Sequence, residues 1–124
     1  MSQKTVLSIG QCRPDSAAIG YYLQSNFSAK VVTADVAEEA LSTIAAQPFD
    51  LVLINRVLDA DGGDGMEILK SIRKLSEYDN LPVMLVSNYA EWQQKAVAAG
   101  AVSGFGKAEL NRPETRSKLA AILS

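Results

Sequence analysis

Four short apolar, β-rich runs and a weaker fifth, separated by stretches of helical period, constrain this chain more than any other feature of it. Thr5-Val6-Leu7-Ser8-Ile9 is the first and Lys30-Val31-Val32-Thr33-Ala34 the second. Asp50-Leu51-Val52-Leu53-Ile54 and Pro82-Val83-Met84-Leu85-Val86 follow, both apolar almost throughout, as suits central parallel strands covered on both faces. Val102-Ser103-Gly104-Phe105 is the weaker fifth. Between them, Ile19, Tyr22 and Leu23 share one helical face, with Pro14 near its first turn. Ala37, Ala40, Leu41 and Ile44 keep helical spacing behind a capping box expected at Asp35 and Glu38. Ile68, Leu69, Ile72 and Leu75 line a third helix with Asp64 as its N-cap, and Trp92, Ala96 and Ala99 a fourth that Gly100 should end. Leu119, Ile122 and Leu123 mark the fifth.

Strand then helix, repeated along the chain, argues for an α/β domain built on a doubly wound parallel sheet with helices on both faces. At 124 residues there is room for one core, so residues 1–124 are read as a single domain. In a sheet of order 2-1-3-4-5, ligands bind beyond the carboxyl ends of the strands where the winding reverses. The positions to inspect are therefore Gly10 and Gln11 after the first strand, Asn55 after the third, Ser87 after the fourth and Lys107 after the fifth.

Composition removes several function classes. There is no histidine, which takes away the commonest general base and metal ligand. The single cysteine, Cys12, cannot form an internal disulfide, and a reducing, cytoplasmic setting is expected. The segment from Met1 to Thr5 is polar and leads directly into a strand, so it does not read as a signal peptide. No apolar run approaches the roughly 18 residues of a membrane span. Charge is scattered around a net −2, with no block that would suggest a nucleic-acid or membrane partner. No phosphate-binding glycine loop follows the first strand, where Gly10-Gln11-Cys12-Arg13-Pro14 stands, and no base and nucleophile pair suggests an enzyme. The same fold can nonetheless host small-molecule binding.

The strand-end positions resemble the site of the bacterial response-regulator receiver domain, and the resemblance runs over essentially the whole chain. Phe49-Asp50-Leu51-Val52-Leu53-Ile54 is similar to the approach to that family's phosphoacceptor aspartate. Asp64-Gly65-Met66-Glu67-Ile68-Leu69 resembles the Asp-Gly and helix start that follow it, and Pro82 to Ser87 the strand that ends in a hydroxyl residue. Ala96, Ala99, Gly100 and Ala101 resemble the family's helix end, and Lys107 its lysine. The resemblance implies a flavodoxin-like fold and a role in a two-component phosphorelay, with protein partners contacted near the start of the fourth helix at Tyr89 and Trp92. It also makes a homodimer through the last two helices conceivable.

The departures fall on the chemistry. Where the family holds magnesium with two acids, this chain has Gly10 and Gln11; the phosphoacceptor position is Asn55. Gly104 stands at the aromatic switch position, with Phe105 one residue later, and Ala108 replaces the usual proline after Lys107. An amide is a poor nucleophile, and magnesium wants carboxylate oxygen, so neither acyl-phosphate formation at Asn55 nor a bound cofactor is expected. Ser87, Asn55, Gln11 and Lys107 are expected to form a metal-free hydrogen-bonded cluster. The alternative is a phosphorylatable receiver, with magnesium, in which Asp59 or Asp61 from the long Arg56 to Gly63 loop replaces the missing acid. A calcium loop at Asp59 to Gly65 is disfavoured because Lys70 stands where a bidentate glutamate belongs.

Overall fold

The computed structural model describes residues 3–124; Met1 and Ser2, part of the polar lead into the first strand, lie outside them. Five strands form one sheet of order β2-β1-β3-β4-β5. They are β1 (Thr5–Ile9), β2 (Lys30–Ala34), β3 (Leu51–Asn55), β4 (Val83–Val86) and β5 (Val102–Phe105), every neighbouring pair parallel. The helices are α1 (Arg13–Phe27), α2 (Ala37–Ala46), α3 (Gly65–Arg73), α4 (Ala90–Ala98) and α5 (Pro113–Leu123), with short 3-10 turns at Ser76–Tyr78 and Lys107–Glu109. No helix is long and apolar enough to cross a membrane among the described residues.

The period of two along each strand sorts the core into halves. Leu7, Ile9, Val52, Ile54, Val83 and Leu85 face α2, α3 and α4, meeting Ala40, Ile44, Ile68, Leu69, Ile72 and Ala96. Val6, Leu51, Leu53, Met84, Val86 and Phe105 face the other way, onto Ile19, Tyr22 and Leu23 of α1 and Leu119 and Leu123 of α5. Because β1, β3 and β4 are buried on both sides, their near-continuous apolar sequence is what parallel strands require.

Local signals were mostly placed as expected. Asp64 caps α3, its Oδ1 accepting from the Met66 N–H at 2.9 Å. Pro14 sits in the first turn of α1, and α4 stops just before Gly100. Two expectations need correction. The N-cap of α2 is Val36, and it is Glu39, not Glu38, whose carboxylate reaches back, to the Asp35 N–H at 2.6 Å. Leu75 lies beyond the end of α3 and is 46% exposed, because the chain leaves the helix at Lys74 and turns into Ser76–Tyr78.

The junction of β4 and β5 departs from regular pairing. Met84 pairs with Val102 and Val86 with Phe105, so β5 carries one residue more than β4 across the same span. The side-chain amide of Gln93, on α4, fills the break. Its Nε2 donates to the carbonyls of Leu85 (2.9 Å) and Ser87 (3.1 Å), and its Oε1 accepts from the Gly104 N–H (3.0 Å). A Cβ at position 104 would run into the Leu85 carbonyl, so this close approach requires glycine. Lys118 Nζ closes the other side on the Gly104 carbonyl at 2.8 Å. Replacing Gln93 with alanine should cost about 2 kcal/mol by leaving these backbone groups unpaired. Urea unfolding will measure the loss, and hydrogen exchange at the Gly104 amide should accelerate more than at β1.

Candidate functional site

The carboxyl ends of β1, β3, β4 and β5 bring Gly10, Gln11, Asn55, Ser87 and Lys107 to one end of the sheet. At its centre is Gly10, with φ +76, a left-handed backbone that side chains resist. Its carbonyl accepts the Asn55 Nδ2–H at 2.9 Å and the Asp59 backbone N–H at 3.0 Å. One carbonyl thus holds both the end of β3 and the loop after it.

That loop is a closed structure. Val57 and Asp64 form an antiparallel bridge, the Leu58 N–H donates to the Gly63 carbonyl (2.9 Å), and the Gly62 N–H donates to the Leu58 carbonyl (2.8 Å). The fold-back carries Leu58 over Gly10, where it is 1% exposed. A Cβ on Gly10 would overlap the Leu58 side chain. Asp59 and Asp61 are exposed, and Asp61 Oδ1 accepts from the Gly63 N–H at 2.9 Å. Neither carboxylate is brought against Asn55 by a hydrogen bond or ion pair.

The four polar side chains do not form the cluster that the sequence suggested. Asn55 turns to Gly10, and Gln11, 8% exposed, has only the Ile9 carbonyl at 3.5 Å for its Nε2. Ser87 Oγ accepts from the Tyr89 N–H at 3.2 Å, a turn interaction ahead of α4. Lys107 leaves the neutral groups for Asp15, with Nζ and Oδ2 2.7 Å apart. The physical reason is that an ammonium ion gains more from a carboxylate than from amides and hydroxyls. Asp15, in the first turn of α1, was missed from sequence. Its signal was there: an acid in the first turn of a helix that starts at the end of β1.

Asp15 also accepts the Cys12 S–H at 3.0 Å. Its carboxyl is held below the ordinary 3.8 by the Lys107 hydrogen bond first and the Cys12 thiol second, against a smaller opposing effect of burial. At position 104, where the switch aromatic was expected to be absent, the backbone is closed by Gln93, and Phe105 points into the α1 and α5 half of the core at 2% exposure.

Beside Asn55 a cleft of about 410 Å³ opens to the surface, walled by Ser87, Asn88, Lys107, Arg56, Tyr89 and Trp92. Arg56 lies over the Trp92 ring, 3.6 Å from its centroid, and bonds Asp64 at 3.2 Å. Lys95 approaches the same ring at 4.4 Å.

A doubly wound sheet of this order, with polar side chains gathered where the winding reverses, defines the flavodoxin-like class. The chain belongs to the response regulator receiver domain family, which it matches over residues 15–120. That match includes Asn55, Ser87, Gly104 and Lys107 and begins after Gly10 and Gln11. The fold is similar to the signal receiver domain of a DNA-binding response regulator (merR) of Colwellia psychrerythraea 34H, with a TM-score of 0.81 and 22% identity over 96% of this chain and 97% of that one. It is similar also to the chemotaxis response regulator CheY4 of Vibrio cholerae, with a TM-score of 0.77 and 23% identity over 98% of this chain and 100% of that one. A two-component response regulator of Clostridium difficile gives a TM-score of 0.75 at 21% identity, over 98% of this chain and 96% of that one. At such identities the likeness is one of fold. No curated protein matches the chain. As a receiver domain of two-component signalling, it belongs to a family that works through protein partners.

Two outcomes follow from the geometry. Gly10→Ala should destabilise the fold by about 2 kcal/mol, combining a left-handed backbone penalty with displacement of Leu58; adding Leu58→Ala should recover part of the Gly10→Ala cost in a double-mutant cycle. Asp15 has a folded pKa below its unfolded one, so its pairing stabilises above pH 3.8 and is lost as pH falls through the folded value. Asp15→Asn should therefore lower the midpoint of urea unfolding at neutral pH and narrow its difference from the wild type as the pH drops below that point.

Proposed function

We propose that this chain is a cytoplasmic receiver domain that acts as a protein-interaction module without phosphorylation. The observation that carries the reading is Leu58 packed on Gly10, with the Asn55 amide spent on the Gly10 carbonyl. Where the family resemblance implies acids around a hard cation, this site offers a hydrocarbon side chain, a backbone carbonyl already accepting twice, and two amides. Magnesium binds carboxylate oxygen and otherwise keeps its water, so these residues do not fit it. Among the described residues no group of three or more acids, cysteines or histidines comes together that could hold a metal. Asp15, the acid nearest in sequence to the lost pair, is committed to Lys107.

The nucleophile is missing for a separate reason. The Asn55 nitrogen lone pair is delocalised into its carbonyl, and the Nδ2–H donates to Gly10 rather than facing an incoming phosphoryl group. The β5 switch position is a glycine bridged by Gln93, which leaves no aromatic side chain there to rotate. A domain with these features presents one arrangement of α4, β5 and α5 to a protein partner, a second copy included, and Val97 and Val102 are exposed there.

The deciding experiment is a titration with magnesium and beryllofluoride, read by the fluorescence of Trp92, the chain's single tryptophan, at the edge of the cleft. The wild type should show no magnesium-dependent beryllofluoride response, and an Asn55→Asp, Gln11→Asp variant provides the comparison in which two acids are restored without adding a side chain at Gly10. A saturable response in the wild type would overturn the reading and mean that a loop acid, Asp59 or Asp61, has taken the vacant role.

A further inference from the structure

The cleft beside Asn55 has an unusual charge balance. Its walls include two cations, Arg56 and Lys107, together with the amides Asn55 and Asn88 and the hydroxyl of Ser87, and no carboxylate. The acids that pair with the two cations, Asp64 and Asp15, are not among the wall residues. Lys95 lies over the Trp92 ring and makes no ion pair among the described residues, and Glu91 is exposed on the first turn of α4; neither is a wall residue. The rim is also apolar: Val57 is 52% and Tyr89 67% exposed beside half-buried Trp92. Single exposed apolar residues need no explanation, but two of them with a half-buried tryptophan around a cleft lined by cations form a patch of distinct chemistry.

We propose that this cleft and its rim dock an acidic segment of a partner protein, with a carboxylate side chain entering beside Asn55 and Ser87 and an adjacent aromatic or apolar side chain covering Tyr89 and Trp92. The proposal rests on the reading of the site as metal-free, since bound magnesium would change the charge of the cleft. Charge complementarity selects the occupant: the wall carries two cations, each paired from outside the cleft, and no carboxylate, and the Ser87 hydroxyl and Asn88 amide are neutral donors suited to a carboxylate. A free anion would use the cavity alone and leave the apolar rim bare. A nucleic acid would use both, but the chain carries −2 overall, so an extended polyanion is repelled beyond the cleft while a short acidic segment is not.

The test uses the full chain in EDTA, with Trp92 fluorescence as the readout. The probe is an acetyl- and amide-capped peptide of glutamates around one phenylalanine. The same peptide with glutamines, one with serine for phenylalanine, sodium sulfate and a short oligothymidylate provide the other arms. The acidic aromatic peptide should give a saturable change, and the glutamine peptide should not. Lys95→Gln should weaken binding about five-fold, the scale of one exposed charge pair. Asn55→Asp, which places a like charge inside the cavity, should weaken it about ten-fold. Lys74→Gln, on the C-terminal end of α3, should change nothing.

The proposal is overturned if the peptide gives no saturable change, if the glutamine peptide binds equally, or if Asn55→Asp leaves the affinity intact. It is overturned as well if sulfate or oligothymidylate binds as tightly with the same dependence on Lys95 and Asn55, which would mark a free-anion or nucleic-acid site. These results are separable from the magnesium and beryllofluoride titration, whose failure would strike the metal-free reading itself whatever the peptide does.

Discussion

The contact of Leu58 with the α-carbon of Gly10 is the constraint on which the functional end of this molecule depends. Gly10 adopts φ +76, which points its carbonyl toward both the Asn55 amide and the Asp59 N–H. The loop can then fold back through the Val57 and Asp64 bridge and lay Leu58 in the space a side chain on residue 10 would need. Glycine, leucine and asparagine at these positions are therefore one mutually fitted solution. An acid at position 10 is incompatible with the loop as it stands, and an aspartate at position 55 would place a carboxylate oxygen against the Gly10 carbonyl, where Asn55 now offers a donor.

The same rearrangement redistributes charge. In a receiver-like site emptied of its acids, a lysine at the end of β5 would be left without a counter-ion in a partly buried place, at a cost in solvation. Asp15 removes that cost from the first turn of α1, close to the helix N-terminus that itself favours an acid. The result is a pair of cations, Lys107 and Arg56, each tethered by a carboxylate from outside the cleft and each facing into it. Trp92 reinforces this, because its ring face attracts the Arg56 guanidinium and holds it along the wall.

Most of the fold was legible in the sequence because it rests on local periodicity. The apolar runs of β1, β3 and β4, the Asp64 cap and the stop at Gly100 are each set by residues within a turn or two of one another. Asn55, Ser87 and Lys107 were legible as positions, since strand ends follow directly from strand boundaries. What they bond to was not. The expected cluster of Ser87, Asn55, Gln11 and Lys107 failed because hydrogen-bond choice depends on which acid lies nearest in space, and Asp15 reaches Lys107 across a separation no pattern reports. Leu58 carried no signal in the sequence for the same reason: its partner is Gly10, just beyond the end of β1. The shift of the Asp35 cap to Glu39 shows the remaining limit, that adjacent acids on a first turn compete and geometry decides between them.

Gln93 extends the argument from the pocket to the surface of α4. A parallel strand with one residue too many leaves carbonyl and amide groups unpaired in a nearly dry place, which is costly unless something satisfies them. A glutamine amide has a donor and an acceptor at the spacing of a peptide group, so it can stand in for a missing stretch of ladder. Because that amide belongs to α4, the helix is bound to β4 and β5 by hydrogen bonds in addition to the packing of Ala96. Trp92 is the residue immediately before Gln93, so the register that pins the bulge also fixes where the aromatic rim of the cleft stands. Pocket and helix face are therefore coupled by a static bridge: any rotation of α4 must break the Gln93 bonds before it can move Trp92 away from Arg56.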